Sequence, residues 1–284
     1  MYEKISAQRK RLRPSLYDKM KFKQELADMN SDQRTDRIKQ EFSRKICGLS
    51  NSPAYLDACE EVCGYRLPLF NMMDKEQIDY LLNAVPISSR DTVLDLGCGD
   101  GSLLRLIAAK YGCNSIGIDL LDSGLVSFGK EIQYICGDFE HLRDYGLLPT
   151  VTISIDSMYF CASIDKIIEQ LDSRAGNRLY FYWSQYLLDE AADRDCLKSD
   201  FTALACTLQK AGITYRSVDF SKNEYRLYIA LEQALRSRRH AFETEGHLDL
   251  YKQKLDETLY GIELYEKKMA SRHLYIANQL TPIR

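Results

Sequence analysis

Acidic residues stand at the ends of successive apolar segments, and the first is joined to a run of alternate glycines. Asp95 precedes the sequence Gly97-Cys98-Gly99-Asp100-Gly101-Ser102 by two residues, and Asp119 and Asp138 come later in the chain. Glycines let the backbone approach a ligand closely. Carboxylates accept hydrogen bonds from hydroxyl, amino and ammonium groups. This combination predicts a site that holds a nucleotide.

Regular elements must position these acids. A strand at 92–96 runs into the glycines and a helix follows at 102–111, so the free N–H groups of a helix start lie beside the ligand. The alternation then continues, with strands predicted at 115–120, 133–136, 151–155, 178–183 and 214–220 and helices at 122–130, 164–171 and 200–211. Alternation of this kind predicts a mostly parallel, doubly wound sheet.

The alternation of strands and helices ends in the last quarter of the chain. Two long helices are predicted at 223–243 and 247–269, before a last strand at 273–277. The fold class is therefore α/β, with a doubly wound seven-stranded sheet, N-terminal helices and a helical insertion before the last strand. The expected organisation is a helical cap (1–85), a nucleotide-binding core (86–222), a helical lid (223–270) and the final core strand (271–284).

The glycine run carries a family resemblance. A dinucleotide fingerprint has a third glycine where this chain has Ser102. Asp-x-Gly-x-Gly-x-Gly between a strand and a helix instead resembles motif I of class I S-adenosylmethionine (SAM)-dependent methyltransferases of the small-molecule type. The resemblance implies a Rossmann-like fold that ends in an antiparallel strand, and SAM as cofactor. The cofactor-binding residues expected from it are Asp95, Gly97, Cys98, Gly99, Asp119, Leu120, Gly137, Asp138, Phe139 and Asp156.

Each acid has an expected role and an alternative. Asp95 and the glycine backbone are expected to hold the methionine part of SAM. Asp95 would do so either by fixing the loop or by accepting from the ammonium group of SAM through a water molecule. Asp119, at a strand end, accepts the ribose hydroxyls; it could instead cap a helix, although Asp122 or Ser123 suits that better. In the resembled family the Asp138 position accepts from the adenine amino group, whereas Gly-Asp alone is a common turn.

The acceptor site is expected where the strand at 151–155 ends. Nucleic-acid amino-methylating enzymes usually carry (Asp/Asn)-Pro-Pro-(Tyr/Phe) there; this chain has Asp156-Ser157-Met158-Tyr159-Phe160, which resembles small-molecule members. Asp156 would orient or deprotonate the acceptor, or cap a helix. The residues predicted to wall the acceptor pocket, unless they belong to the core, are Tyr159, Phe160, Trp183 and Tyr186.

Methyl transfer mainly requires that two reactants be aligned and water excluded. A general base is needed only when the acceptor starts as a protonated amine or a hydroxyl. The catalytic candidates are Asp156, His247 and Tyr65. His240 is a weaker candidate because Arg238 and Arg239 precede it on a charged helix, which is typical of a solvated face.

Composition narrows the function classes. The net charge of −3 gives no general attraction to nucleic acid or to an anionic membrane. The first 25 residues carry eight basic and three acidic groups, which indicates a solvated helix or an anion-contacting arm. That segment could exchange between two copies, so a homodimer is possible. Nine scattered cysteines indicate reduced thiols in a cytoplasmic protein, with no metal site expected.

The functional expectation is methyl transfer from SAM to a nitrogen or oxygen atom of a small-molecule acceptor. Two alternative activities stay open: a carbon methyltransferase acting on a prenyl or polyketide-like metabolite, and an NAD-dependent oxidoreductase, which Ser102 disfavours. A catalytically silent subunit with this fold is a further alternative. Neither nucleic acid nor membrane is expected as a partner.

Overall fold

The computed structural model describes residue 29 and residues 31–121, 132–172, 176–187 and 189–278. The strands are β1 (Thr92–Leu96), β2 (Asn114–Asp119), β3 (Ile132–Cys136), β4 (Val151–Ile155), β5 (Arg178–Tyr186), β6 (Tyr215–Asp219) and β7 (Ala270–Asn278). They form one seven-stranded sheet in the order β3-β2-β1-β4-β5-β7-β6. Strand β7 is antiparallel to β5 and β6, and the other pairs are parallel. The predicted fold class is confirmed.

The α-helices in the described part of the chain are α1 (Ser31–Ser50), α2 (Pro53–Cys63), α3 (Lys75–Ala84), α4 (Ser102–Tyr111), α5 (Ile164–Asp172), α6 (Ala203–Lys210), α7 (Ser221–Ser237), α8 (Arg239–Thr244) and α9 (Leu248–Glu266). Short 3₁₀ helices span Phe139–Tyr145, Met158–Phe160 and Arg194–Leu197. The basic N-terminal segment and the helix predicted at 122–130 lie outside the described residues.

Alternating side chains of the strands bury two apolar layers, one on each face of the sheet. On one face, Val93 and Ile153 pack with α2, α3, α4, α7 and α9. On the other face, Leu94 and Phe181 pack with α5 and α6. Both faces of the central strands are covered, so that even the polar residues Thr152 and Ser154 of β4 are buried.

Strand β5 continues three residues beyond its predicted end at 183. Ser184 and Gln185 interrupt the apolar pattern, but β7 pairs with β5 as far as Tyr186 opposite Ala270. The cross-strand hydrogen bonds of a long antiparallel partner thus outweigh the local sequence preference. This extension matters for function because it places Ser184 in a buried polar network described below.

The insertion before β7 contains three helices where the sequence predicts two. Helix α7 ends at Ser237, and Arg238 adopts a non-helical conformation with φ −105° and ψ 8°. One guanidinium nitrogen of Arg238 donates to the carbonyl of Ala234 at 3.1 Å, which satisfies an acceptor at the helix end. The insertion packs against α2 and β7, on the sheet face that also carries α3 and α4.

Candidate active site

A cleft opens at the carboxyl ends of β1, β2 and β4. Chain connections leave β1 and β4 toward opposite edges of the sheet, and this switch point is where open α/β sheets bind ligands. The cleft contains about 1340 Å³ of empty space, its open mouth included. The carboxyl ends of three strands thus contribute to one concave site.

The glycine loop forms one side of the cleft. The backbone N–H groups of Gly97 and Cys98 both donate to the carbonyl of Ile118, at 2.8 and 3.2 Å, which ties the loop to β2. Gly97 has φ +73°, and a Cβ there would lie 2.3 Å from the Cβ of Ser157. Gly99 has φ +56°, but a Cβ there would meet no atom within 4 Å. Packing against Ser157 therefore requires glycine at position 97. At position 99, the missing side chain leaves space in the cleft for a ligand.

Asp119 joins the end of β2 to this loop. Its Oδ2 accepts from the N–H of Gly99 at 2.7 Å, and its Oδ1 accepts from the N–H of Leu121 at 3.0 Å. Burial raises the pKa of Asp119, against the effect of these N–H groups. Each carboxylate oxygen keeps a second lone pair, so Asp119, which lines the cleft, can accept from two further hydroxyls.

Asp95 is the unusual group of the cleft. The residue is 4% exposed and lines the cleft, yet its carboxylate makes no hydrogen bond or ion pair with any other residue that the structure describes. Burial, reinforced by the negative charge of Asp119, raises the pKa of Asp95 to about 8. A buried carboxylate without a donor is costly unless a ligand supplies one. The group that suits it best is a cation that carries N–H donors.

The remaining predicted cofactor residues lie around these acids. Cys98 and Leu120 line the cleft, although the sulfur of Cys98 also packs against Gly117 of β2. Asp138 also lines the cleft. Its Oδ1 accepts from the N–H of Glu140 at 2.8 Å, as expected for a turn residue, and its position in the lining also allows contact with a ligand. Phe139 is nearly buried and lines the cleft.

Gly137, another predicted cofactor residue, lies outside the cleft lining. A Cβ at that position would lie 2.2 Å from the hydroxyl of Tyr145. Its hydrogen atom is therefore required by packing between the end of β3 and the following 3₁₀ helix.

Asp156 occupies the end of β4 with φ +54°, a left-handed conformation that is unfavourable for a residue with a side chain. The guanidinium Nη1 of Arg272 donates to both carboxylate oxygens, at 2.9 and 2.7 Å. Arg272 comes from β7 and is fully buried. Strong contacts from a distant strand thus hold Asp156 in a strained conformation at the cleft, which is common at functional sites.

Arg272 also serves a second buried acid. Its Nη1 lies 3.3 Å from Glu224 of α7, which accepts hydrogen bonds from the hydroxyls of Ser184, Tyr186 and Tyr265. Two carboxylates therefore share one guanidinium. Burial raises the pKa of Asp156, the charge of Arg272 opposes this, and the charge of Glu224 adds to it. Asp156 is thus suited to gain and lose a proton near neutral pH.

Helix α1 forms the opposite side of the cleft. Ile38, Phe42 and Ile46 line it, with Lys39 beside them. The helix is held at one end by Ser50, whose hydroxyl donates to Asp100 at 3.0 Å, and in the middle by Phe42, whose ring packs on Phe160 at 5.0 Å. The apolar spacing of four residues on α1 was the one sequence signal for this wall.

A second wall is formed by residues 67–73, here called the wall segment. Two buried cations hold its backbone: Lys254 of α9 donates to the carbonyl of Leu69 at 2.8 Å, and Arg272 donates to that of Asn71 at 2.8 Å. The hydroxyl of Tyr55 also donates to Leu69, at 2.8 Å. None of the residues lining the cleft comes from α7, α8 or α9. The insertion predicted as a lid instead contacts the wall segment from behind.

Of the four aromatic residues predicted to wall the acceptor pocket, Phe160 lines the cleft. Tyr159 packs between Phe160 and Trp183, with ring centroids 4.8 and 5.6 Å away. Trp183 is 5% exposed and belongs to the core on the α5 and α6 face. Tyr186 bonds Glu224. These three residues therefore support the pocket from behind.

The other base candidates are remote from the cleft lining. The hydroxyl of Tyr65 donates to Asp79, and this bond together with burial raises the pKa of Tyr65 to about 12. His247 precedes α9, beside Gly48 of α1, and its Nδ1 is buried without a partner among the described residues. His240 is 94% exposed. The structure brings only Asp156, of the residues predicted as catalytic, to the cleft.

Among the described residues, no group of three or more histidine, cysteine, aspartate or glutamate side chains has the geometry to hold a metal ion. None of the helices in the same residues combines the length and apolar character that crossing a membrane requires.

Comparison with known proteins supports the fold. A family model described as "Methionine biosynthesis protein MetW" matches residues 75–146. The sterol 24-C-methyltransferase of Eremothecium gossypii is 35% identical over 72 residues, which are 22% of this chain and 19% of that protein. The chain spans between 19% and 30% of the length of the curated relatives that it matches.

Solved structures match over more of the chain. Phosphoethanolamine N-methyltransferase 2 of Haemonchus contortus, in complex with phosphomonomethylethanolamine and S-adenosylhomocysteine, has a TM-score of 0.65 at 13% identity, covering 83% of this chain and 60% of that one. A SAM-dependent methyltransferase from Geobacter sulfurreducens, with S-adenosylhomocysteine, has a TM-score of 0.52 at 18% identity, covering 79% and 97%. The resemblance to class I SAM-dependent methyltransferases is thus confirmed at the level of the fold.

Proposed function

We propose that this protein, which has the class I methyltransferase fold, is a SAM-dependent methyltransferase that acts on a nitrogen or oxygen atom of a small-molecule acceptor. The observation that carries the proposal is Asp95, a buried cleft carboxylate without a donor beside the glycine loop. SAM carries an ammonium and a sulfonium, which suit such a group. Ser102, in place of the third glycine of a dinucleotide fingerprint, disfavours the oxidoreductase alternative.

We infer the cofactor contacts from the side chains available. Asp95 and the backbone of residues 97–99 hold the amino-acid part, and Asp119 offers its free lone pairs to the ribose hydroxyls. Leu120, Asp138 and Phe139 contact the adenine ring. When bound, SAM supplies a methyl group on a positively charged sulfur.

The chain's own residues then have two tasks. Helix α1 and the wall segment cover the acceptor and keep water out, which leaves the reactants aligned for an in-line displacement. Asp156 accepts the proton that an amine or hydroxyl acceptor loses. Its raised pKa, caused mainly by burial, makes the carboxylate a stronger base than an exposed aspartate.

Titration calorimetry tests the cofactor. We expect SAM and S-adenosylhomocysteine to bind and NAD not to bind. Asp119→Asn should weaken S-adenosylhomocysteine binding by about 100-fold, since it alters hydrogen bonds to a charged acceptor. Asp144→Asn, at a side chain that is 77% exposed, is the matched control. Folded protein that binds neither sulfur compound, or that binds NAD instead, would refute the proposal.

Acceptor screening tests the transfer. Amines, phenols and carboxylic acids are incubated with SAM, and products are sought by mass spectrometry as a methyl-sized mass gain. One observation favours a second candidate, transfer to carbon: Phe42, Phe70 and Phe160 give the cleft an aromatic lining that would stabilise a carbocation. Fragmentation of the product shows which atom carries the new methyl group and decides between the two.

A further inference from the structure

Helix α1 carries five basic residues, and four of them have carboxylate partners. The pairs are Arg34 with Glu140, Arg37 with Glu41, Arg44 with Asp249, and Lys45 with Glu257. Lys39 is the exception: its ammonium forms no hydrogen bond or ion pair with any residue in the described part of the chain. Among the described residues, its ammonium therefore has no carboxylate that would compete with a ligand.

Lys39 lies on the cleft side of α1. It lines the cleft with Ile38, Phe42 and Ile46, which recur along one face of the helix, and it is half-buried. Its side chain is partly covered by the cleft, and its ammonium has no ion-pair partner in the described part of the chain. This differs from the fully solvated lysines of an exposed helix face.

Two contacts of α1 locate Lys39 within the cleft. On its N-terminal side, Arg34 pairs with Glu140, which follows β3, at 3.8 Å. On its C-terminal side, Phe42 packs against Phe160, which follows β4. A helix rises 1.5 Å per residue, so Lys39 lies about 7.5 Å along the axis from Arg34 and about 4.5 Å from Phe42. Lys39 therefore lies on the stretch of α1 between these two contacts, along the cleft.

Charge is distributed unevenly between the two sides. The strand ends carry Asp95, Asp119 and Asp156, whereas the helix presents Lys39. The ammonium of Lys39 attracts an acidic group, whereas the carboxyl groups at the strand ends do not. Between them the lining is mostly apolar, with Phe42, Leu69 and Phe70 contributing. The arrangement orients a molecule that has an acidic end and an apolar body.

We propose that the methyl acceptor is an amphipathic acid, whose carboxylate or phosphate group pairs with Lys39 and whose apolar body lies along Phe42 and the wall segment. This inference rests on the proposed methyltransferase function. It assigns Lys39 to substrate specificity: the acidic group is held at α1, and the nucleophilic atom is directed away from it, toward Asp156.

Three probes with the same chain test the inference: decanoate, decyl phosphate and decanamide. Binding is measured by titration calorimetry on protein saturated with S-adenosylhomocysteine. We expect the two acids to bind at least tenfold more tightly than the uncharged amide. A tenfold preference between decanoate and decyl phosphate would identify which acidic group the natural acceptor carries.

Lys39→Gln removes the charge while keeping a polar side chain of similar length. We expect it to weaken binding of the acids by about tenfold and to leave decanamide unchanged, because a charge-assisted bond is lost. Arg37→Gln is the matched control: it removes one positive charge from the same helix, outside the cleft lining. It should leave all three affinities within twofold.

The outcomes separate this inference from the proposed function. Equal binding of acid and amide, no binding of any probe, or equal effects of Lys39→Gln and Arg37→Gln would each overturn the role of Lys39 while S-adenosylhomocysteine still binds. Failure of S-adenosylhomocysteine to bind would instead refute the methyltransferase proposal. If S-adenosylhomocysteine does not bind, the three probes can still be compared on the protein without it.

Discussion

The glycine-loop side of the cleft and the side formed by α1 and the wall segment are held together by different interactions. The loop, β1 and β2 lie within 28 residues of one another, from Thr92 to Asp119, and backbone hydrogen bonds connect them. The other side joins α1, the wall segment, α9 and β7, and buried cations bridge it. The first side should therefore be sensitive to backbone changes, and the second to the loss of a single charge.

The largest effect is expected from Arg272→Met. It leaves Asp156 and Glu224 buried without their shared guanidinium, which should cost about 3–5 kcal/mol in the free energy of unfolding at pH 7. The deficit should shrink as pH falls, because protonation of Asp156, whose pKa is raised by burial, removes its buried charge. Urea denaturation measures both. Lys267→Met, which removes the surface ion pairs of Lys267 with Glu190 and Glu263, should cost less than about 1 kcal/mol. Equal losses would contradict the distinction between the two sides.

Alanine at the two loop glycines separates packing from ligand space. Gly97→Ala should lower the free energy of unfolding by about 2–4 kcal/mol, because its Cβ meets Ser157 and the residue stays left-handed. Gly99→Ala should cost only about 1–2 kcal/mol of backbone strain. It should nevertheless weaken S-adenosylhomocysteine binding at least tenfold, since the methyl group enters the cleft. If Gly99→Ala binds normally, the cofactor does not contact the loop there.

Asp95→Asn tests the electrostatics of the loop side. The pKa of Asp95 is about 8 in the folded protein and ordinarily 3.8, so the folded state binds more protons between these values. Stability of the ligand-free protein should therefore fall as pH rises from 4 to 8, by up to about 1.4 kcal/mol per pH unit. The variant should lack this slope and be the more stable protein at pH 8.

Thermal denaturation from pH 4 to 9 measures the slope of both proteins. In addition, SAM binding by the unmodified protein should tighten with pH up to about 8, whereas binding by Asp95→Asn should not. Identical pH profiles would show that Asp95 does not carry the unpaired charge of the cleft.

The smallest effect is expected from Tyr65→Phe. Tyr65 is outside the cleft lining, and its pKa of about 12 keeps the phenol protonated near neutral pH. Loss of the bond to Asp79 should cost less than about 1 kcal/mol. The kcat of methyl transfer should stay within twofold. A tenfold fall in kcat, with stability unchanged, would show that Tyr65 acts in the reaction although it lies outside both sides of the cleft.

Much of the glycine-loop side of the cleft could be predicted from short stretches of the sequence. Strand β1 and the start of α4 occur as predicted, and Asp119 ends β2. The period-two apolar pattern, the glycine spacing and the acids at strand ends all act over a few residues. The acceptor side was less predictable, because Trp183 and Tyr186 have the composition of a pocket wall yet pack behind it. Sequence spacing alone cannot tell which side of a strand faces the cleft.

The sequence by itself thus determined the parallel core, the order of its strands and helices, and a loop able to receive a nucleotide. Only the tertiary structure decided which distant residues complete the cleft. Arg272 meets Asp156 across 116 residues of chain, and Lys254 meets Leu69 across 185. Such pairs leave no periodic trace, since a buried charge is satisfied by whichever partner the packing of the sheet and helices brings to it.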